Sequence, residues 1–402
     1  MFKLFTDESL MTKILTQKST IIVFKELHLL AQKIKNYEQM KTSILFLFFL
    51  LYSFCSLAQS KKTNESDTVS HNSSIEAVVD TIPDLSIFED DSPMKLTLKY
   101  DITSFIKNKL KGEYLDAELH IEYKNYVANK NIRLKARGNN RRETCFFPPI
   151  YLNFKTDTIK NTELKGLNKI KLVTHCSTSK TYSAYLLKEY LVYKLYNILT
   201  NNSFRVKLLD IDYVDTGKKQ RNYEKQGILI EPVELLTKRT NSIEIDGTLI
   251  RENNVIEEEA DVLALFQFMI ANTDWRIKSG HNTKYIKVLD HLVERVTPVP
   301  YDFDYSGFVD THYSFPQSWT SIEDVKEREY LGYCRNSDAE YLKTINLFIE
   351  KKDEIFKTIE SFEQLPERDR NDLLDFVKSF YDLTDRPETL ISKLKTECRT
   401  DF

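Results

Sequence analysis

From Met94 onward the chain alternates. Lys95-Leu96-Thr97-Leu98-Lys99-Tyr100 sets apolar residues two apart with polar ones between them, the pattern of a strand with one covered face. The same period predicts strands over Leu115–Tyr126, Asn131–Arg137, Pro149–Phe154 and Lys169–Thr174, a β-rich region of about 94–176. The period then changes. Leu186, Leu187, Tyr190, Leu191, Leu195 and Ile198 fall at helical spacings, which predicts an amphipathic helix over Ser183–Leu199. Strands return at Phe204–Val214 and Gly227–Glu231. Beyond Val255 helical spacing dominates, with helices predicted over Val262–Ile270, Ala339–Phe362 and Asp369–Tyr381. A strand pair, Thr283–Val288 and Val293–Pro300, interrupts them. Sheet, one helix, more sheet and then a helical half make an α+β protein with two lobes, 94–231 and 232–402. The regular strand–helix alternation of a doubly wound sheet is absent, and no internal repeat is visible.

Upstream of that region the pattern is of another kind. Met40-Lys41 begins a charged stretch, and the apolar run from Ile44 to Phe54 ends in Ser56-Leu57-Ala58. This is the layout of a secretory signal peptide over 40–58, cleaved after Ala58. The run is about eleven residues long, short of the ~20 needed to span a bilayer, so no membrane span is expected after cleavage. Residues 1–39 read as an upstream extension. Residues 59–93, rich in Ser, Thr, Asn, Asp and Glu, read as a disordered tether.

Export changes the meaning of the cysteines. Cys145, Cys176, Cys334 and Cys398 remain in the mature part, and in an oxidising compartment a disulfide among the first three is expected. Buried thiols are the alternative, and His175-Cys176 lacks the second half of a zinc site. Composition adds one exclusion. A formal charge of −3 gives no global basic field, so nucleic acid is not an expected partner.

Candidate chemistry concentrates at Tyr301-Asp302-Phe303-Asp304-Tyr305-Ser306-Gly307-Phe308, after the extended run Arg295–Pro300. Two carboxylates at a strand end suit a Mg²⁺ ion held against phosphate oxygens. A calcium loop is excluded, because its twelfth position would be Tyr313 where a bidentate Glu is required. A second polar cluster precedes it, Asn272-Thr273-Asp274-Trp275 through His281-Asn282. Phosphoryl transfer also needs cations for the phosphates, and Lys169 and Lys171 share one strand face. Register decides which of the two meets phosphate, and sequence leaves it open. Glu189 lies mid-helix, either turned to such a cation or on a solvated surface. Lys135-Ala136-Arg137-Gly138-Asn139-Asn140-Arg141-Arg142 puts four cations around a turn that can offer donors to phosphate. Neither a kinase glycine loop nor a P-loop occurs.

At these residues the chain resembles the spore-coat protein H (CotH) family of atypical secreted kinases, in its exported Bacteroidetes-type branch. The likeness runs from Arg137-Gly138 through Gly166–Val173, the Glu189 helix, Gly227–Glu231, Asn272-Thr273-Asp274 and His281-Asn282 to Pro300–Asp304. It implies a divergent two-lobed protein-kinase-like fold, with a mostly β first lobe carrying one key helix and a mostly helical second lobe. It implies ATP with Mg²⁺ or Mn²⁺, and transfer of phosphate to Ser or Thr of an exported, envelope or secreted protein. Carried over, Asp274 becomes the catalytic base and Asn282 a metal or loop-ordering ligand. Asp302 and then Asp304 become metal ligands, Glu231 sits at the nucleotide edge, Lys171 pairs with Glu189, and Arg137 opens the basic turn. Asp274 and Asn282 stand eight positions apart, where the ordinary catalytic loop has five, and no His-Arg-Asp occurs. AMP transfer, a pseudokinase or binding module, and a structural envelope protein are the alternatives.

Overall fold

Ile87 and Phe88 are buried, and Asp90 reaches Lys124 and Lys207, so the fold begins before Met94 and includes the end of the predicted tether. The computed structural model describes residues 86–400 apart from 155–158, 161, 247–249 and 290–293. The predicted signal peptide, the extension before it and residues 59–85 lie outside the described residues.

The period-two segments form strands β1 (Met94–Tyr100), β2 (Leu115–Tyr123), β3 (Tyr126–Ala136), β4 (Ile150–Asn153), β5 (Lys169–Val173), β6 (Val206–Asp215) and β7 (Tyr223–Ile230). They close into a seven-stranded barrel in the order β1-β2-β3-β4-β5-β7-β6. Neighbours run antiparallel except β1 and β6, whose parallel register from Met94↔Leu209 to Tyr100↔Asp215 closes the ring. Closure leaves no unpaired edge. Leu96, Leu98, Leu119, Ile121, Leu134, Leu152, Leu172 and Leu209 fill the interior with Ile87 and Phe88. The architecture is therefore α+β with a mostly β first part, as predicted, but the barrel argues against the ordinary two-lobed kinase fold.

β6 shows why the barrel and the helices pack as they do. Leu209, Ile211 and Tyr213 point into the barrel, while Val206 and Leu208 join the other core. Both faces are covered only at its start, over 206–209, and beyond Leu209 buried and more exposed positions alternate. Its outer cover includes helix α3 (Lys180–Leu199), which follows the short helices α1 (Ile102–Asn108) and α2 (Asn140–Thr144). The predicted amphipathic helix is corrected here. Leu186, Leu187, Glu189, Tyr190, Leu191, Val192, Tyr193, Leu195 and Tyr196 are all buried, so little of the helix faces water.

The second half contains α4 (Val233–Arg239), β8 (Ser242–Ile245), α5 (Glu257–Met269), β9 (Thr283–Val288) and β10 (Thr297–Pro300). β8, β9 and β10 form a small antiparallel sheet. α6 (Asp338–Glu350), α7 (Lys352–Glu360), α8 (Glu367–Thr384) and α9 (Pro387–Glu397) complete the chain. Where one helix was predicted over Ala339–Phe362 there are two, broken at Lys351, so that Phe348 and Ile355 reach one core from different axes. Two disulfides, Cys145–Cys176 and Cys334–Cys398, pair the four cysteines of the described residues. The first lies among the cysteines singled out from sequence; with Cys176 so bonded, His175-Cys176 offers no thiolate to zinc. Among the described residues no helix is long and apolar enough to cross a membrane.

Candidate functional site

β10 delivers the chain to the site under constraint. The Tyr301 N–H donates to the Asn282 carbonyl at 3.0 Å. Asp302 then adopts φ +65°, a left-handed conformation that is uncommon for a residue with a Cβ. Its N–H donates to the Tyr193 hydroxyl at 2.9 Å, which ties the turn to α3. Phe303 is fully buried and meets Tyr193 edge-on at 4.8 Å. Gly307 and Phe308 donate backbone bonds to Ala271 and Ile270, just past α5. A Cβ on Gly307 would stand 2.4 Å from the Val325 carbonyl oxygen, so the close approach requires glycine.

The two carboxylates of this turn meet different fates. Asp302 is half-buried, and no group among the described residues donates a hydrogen bond to its carboxylate. Asp304 is buried, and one of its oxygens takes Arg141 Nε at 2.7 Å and the Tyr313 hydroxyl at 3.1 Å. Arg141 also donates through Nη2 to Glu189 Oε2 at 2.6 Å. One guanidinium from α2 therefore bridges α3 and the turn after β10. The expected Lys171–Glu189 pair is corrected: Arg141 holds Glu189, because α2 reaches into the space between the two elements. The solvated-surface reading of Glu189 falls as well, since the residue is 1% exposed. Its Oε1 is buried without a hydrogen-bond partner. Burial raises the pKa of Glu189 and of Asp304, against the pull of Arg141, and Asp302 raises both further.

Lys171 lies near enough to Asp302 to feel its charge. Its Nζ lies 5.1 Å over the Tyr301 ring, whereas Lys169 is exposed and lies 4.6 Å over Tyr151. Desolvation first, then repulsion from Arg137 and Lys284, pushes Lys171 down to about 8, with Asp302 opposing. Arg137 lies 5.5 Å from the Tyr151 ring centre, and its buried Nε lacks a hydrogen-bond partner. Lys171 and Arg137 thus repel one another beside a carboxylate, and neither has an ion-pair partner among the described residues.

The loop after α5 brings the third group. Asn272 accepts the Asp274 N–H at 3.0 Å and anchors itself to Gln267. Asp274 Oδ1 meets His281 Nε2 at 2.7 Å, and Oδ2 accepts the Asn282 amide at 3.0 Å. That amide also donates to the Asp274 carbonyl at 2.7 Å. With φ +51° and its carbonyl bonded to Tyr301, Asn282 joins the Asp274 loop to the Asp302 turn. Its amide nitrogen orders the loop. The hydrogen bond that His281 donates to Asp274, then burial in opposition, sets His281 above its ordinary pKa, with the Asp274 and Asp302 charges adding.

Glu231 stands apart from this assembly. It is 3% exposed, and its carboxylate is taken by the Arg239 guanidinium at 2.8 and 3.0 Å and by the Arg205 N–H at 3.0 Å. Its side chain is therefore committed to a buried ion pair at the β7–α4 junction.

Among the described residues no group of three or more His, Cys, Asp or Glu side chains is close enough to hold a metal ion by itself. Mg²⁺, however, is commonly held by one or two carboxylates with water and phosphate oxygens. The free carboxylate of Asp302 and the orphaned Glu189 Oε1 fit that use; Asp304, already holding Arg141 and Tyr313, fits it less well. Sequence reasoning placed Arg141 only within the basic turn, and did not assign roles to His281, Tyr193 or Tyr313. Four cations in eight residues was the signal for Arg141. A scan against protein-family models gives no match to this chain, and neither does a search of curated proteins.

Proposed function

We propose that the chain is an exported kinase-like phosphotransferase of the spore-coat protein H type, using ATP with Mg²⁺ or Mn²⁺ and a Ser or Thr acceptor on an exported protein. One observation carries this reading: Lys171, a cation without an ion-pair partner among the described residues, lies near enough to both Arg137 and the unpaired carboxylate of Asp302 to feel the charge of each. Lys171 and Arg137 would receive the anionic phosphates, and Asp302 would hold a divalent cation that would offset their charge. Asp274, oriented by His281 and Asn282, accepts the acceptor hydroxyl proton. Arg141 takes a bridging role that ordinary kinases give to a strand lysine, and the fold is a divergent form in which a closed barrel replaces the open first-lobe sheet.

The test is incubation of the purified chain with γ-labelled ATP and Mg²⁺ or Mn²⁺, beside a folded Asp302→Ala control. Mass spectrometry is expected to find phosphate on the chain or on an added exported protein, at least 100-fold less with the variant. AMP in place of phosphate would change the chemistry assigned to the site. The absence of both, with no ATP-dependent rise in melting temperature, would sink the reading.

A second reading is favoured by the engagement of both Glu189 and Asp304 with Arg141. A binding module on the same fold would use the cleft for recognition, showing an ATP-dependent thermal shift without transfer.

A further inference from the structure

Beside the Asp274 loop lies a cavity of about 290 Å³, lined by Trp275, Arg276, Lys278, Trp319 and Arg399 among others. Its position follows from local geometry. The Arg276 N–H donates to the His281 carbonyl at 3.0 Å, so 276–281 closes as a small hairpin that displays Arg276 and Lys278. The Arg276 guanidinium lies 4.3 Å from the Trp319 ring centre, and the Trp319 ring lies 6.3 Å from that of His281. His281 in turn holds Asp274. One aromatic ring thus separates the cavity from the His281–Asp274 pair.

The charges at the cavity are unbalanced. Arg399 is paired with Glu329 at 2.6 Å, but Arg276 and Lys278 have no carboxylate partner among the described residues. The Trp319 indole N–H is shielded from water and has no hydrogen-bond partner there. The opposite wall is fixed, because Arg399 exchanges backbone bonds with Gly332 and Cys334 beside the Cys334–Cys398 disulfide. The volume lies at the small end of ligand sites, enough for one side chain and too small for a nucleotide.

We infer that this cavity is the acceptor-docking subsite, and that it takes the carboxylate side chain of an acidic peptide segment close to the modified Ser or Thr. Guanidinium and ammonium groups beside an indole recognise such a carboxylate through charge-assisted hydrogen bonds, with the tryptophan planes enclosing its methylenes. The inference rests on the phosphotransferase reading for its meaning, while the binding it asserts needs no nucleotide.

Both tryptophans of the chain, Trp275 and Trp319, line the cavity, so intrinsic emission reports occupancy directly. The full-length chain is titrated, without ATP, with a blocked peptide of one serine flanked by glutamates, and separately with its glutamine counterpart. The expected result is a saturable emission change with the glutamate peptide, weakened by salt. Affinity should fall at least tenfold in the Arg276→Gln/Lys278→Gln variant, whose two positions are exposed and leave the core intact. Equal binding of both peptides, an unaffected variant, or no saturable change would overturn the inference. Stronger binding by an anionic oligosaccharide would overturn the peptide class. Glutamate-peptide binding in a chain that transfers nothing from ATP would leave the docking site standing and remove the phosphotransferase reading; transfer without that binding would do the reverse.

Discussion

Lys171 is where sequence and environment disagree most. A lysine on a strand beside another cation has no local reason to lose its proton, yet burial and the Arg137 charge bring it down to about 8. At pH 8 about half of such side chains are neutral, against well under about 1% for an ordinary lysine. Lys171 is therefore expected to be the first lysine acylated by a small amine-directed reagent, with a labelling rate that climbs toward pH 8 and then levels. Lys207 is brought down to a similar value, but its side chain is 0% exposed. Peptide mapping by mass spectrometry checks this; labelling of Lys171 no faster than that of exposed lysines would remove the depressed pKa. The sign for stability follows. The folded state binds fewer protons here than the unfolded state between about pH 8 and 10.5, so this group raises stability as pH climbs through that window. The strand pattern showed that Lys169 and Lys171 share a face. Only the approach of Tyr301 and Asp302, from far along the chain, distinguishes Lys171.

At the scale of elements, one side chain joins three of them. Arg141 on α2 reaches Glu189 on α3 and Asp304 beyond β10, over sequence separations of 48 and 163 residues. The bridge holds α3 against the turn that carries Asp302, alongside the Tyr193 hydroxyl bond. Removing the guanidinium leaves two buried carboxylates facing each other. Arg141→Met is therefore expected to cost about 3–5 kcal/mol of stability, the range for stripping one partner from a buried pair. Arg141→Lys should recover only part of it, because one ammonium cannot reproduce the guanidinium fork. Denaturant unfolding followed by circular dichroism checks both; a loss below about 1 kcal/mol in the methionine variant would show the bridge to be incidental. The elements themselves were largely legible, since β1 to β7 announce themselves by alternation and α8 by its apolar stripe. α2 was not. Its Asn140–Thr144 stretch is too short for a period and has no buried residue to mark it.

Across the whole molecule, the two disulfides close long loops at either end of the described fold. Cys145–Cys176 spans 31 residues and Cys334–Cys398 spans 64. The chain-entropy relation gives each about 4 kcal/mol. Reduction without alkylation is expected to lower the denaturant midpoint markedly, in two separable steps in the Cys145→Ala/Cys176→Ala and Cys334→Ala/Cys398→Ala variants. Unfolding with and without a strong reductant checks this; unchanged midpoints would mean that neither bond constrains the unfolded chain. The second bond also fixes Arg399 beside the docking cavity.

The sequence by itself determined the α+β composition, most strands, the acidic turn at 302–304 and the cysteines that could pair. Each of these depends on residue type and local period, which neighbours in sequence carry. Tertiary structure alone decided the closure of the barrel, the transfer of Glu189 from Lys171 to Arg141, the withdrawal of Glu231 into an ion pair with Arg239, and the cavity beside Asp274. These depend on which distant surfaces exclude water together. A buried charge takes whichever partner the packed chain brings within reach, and local pattern holds no record of that choice.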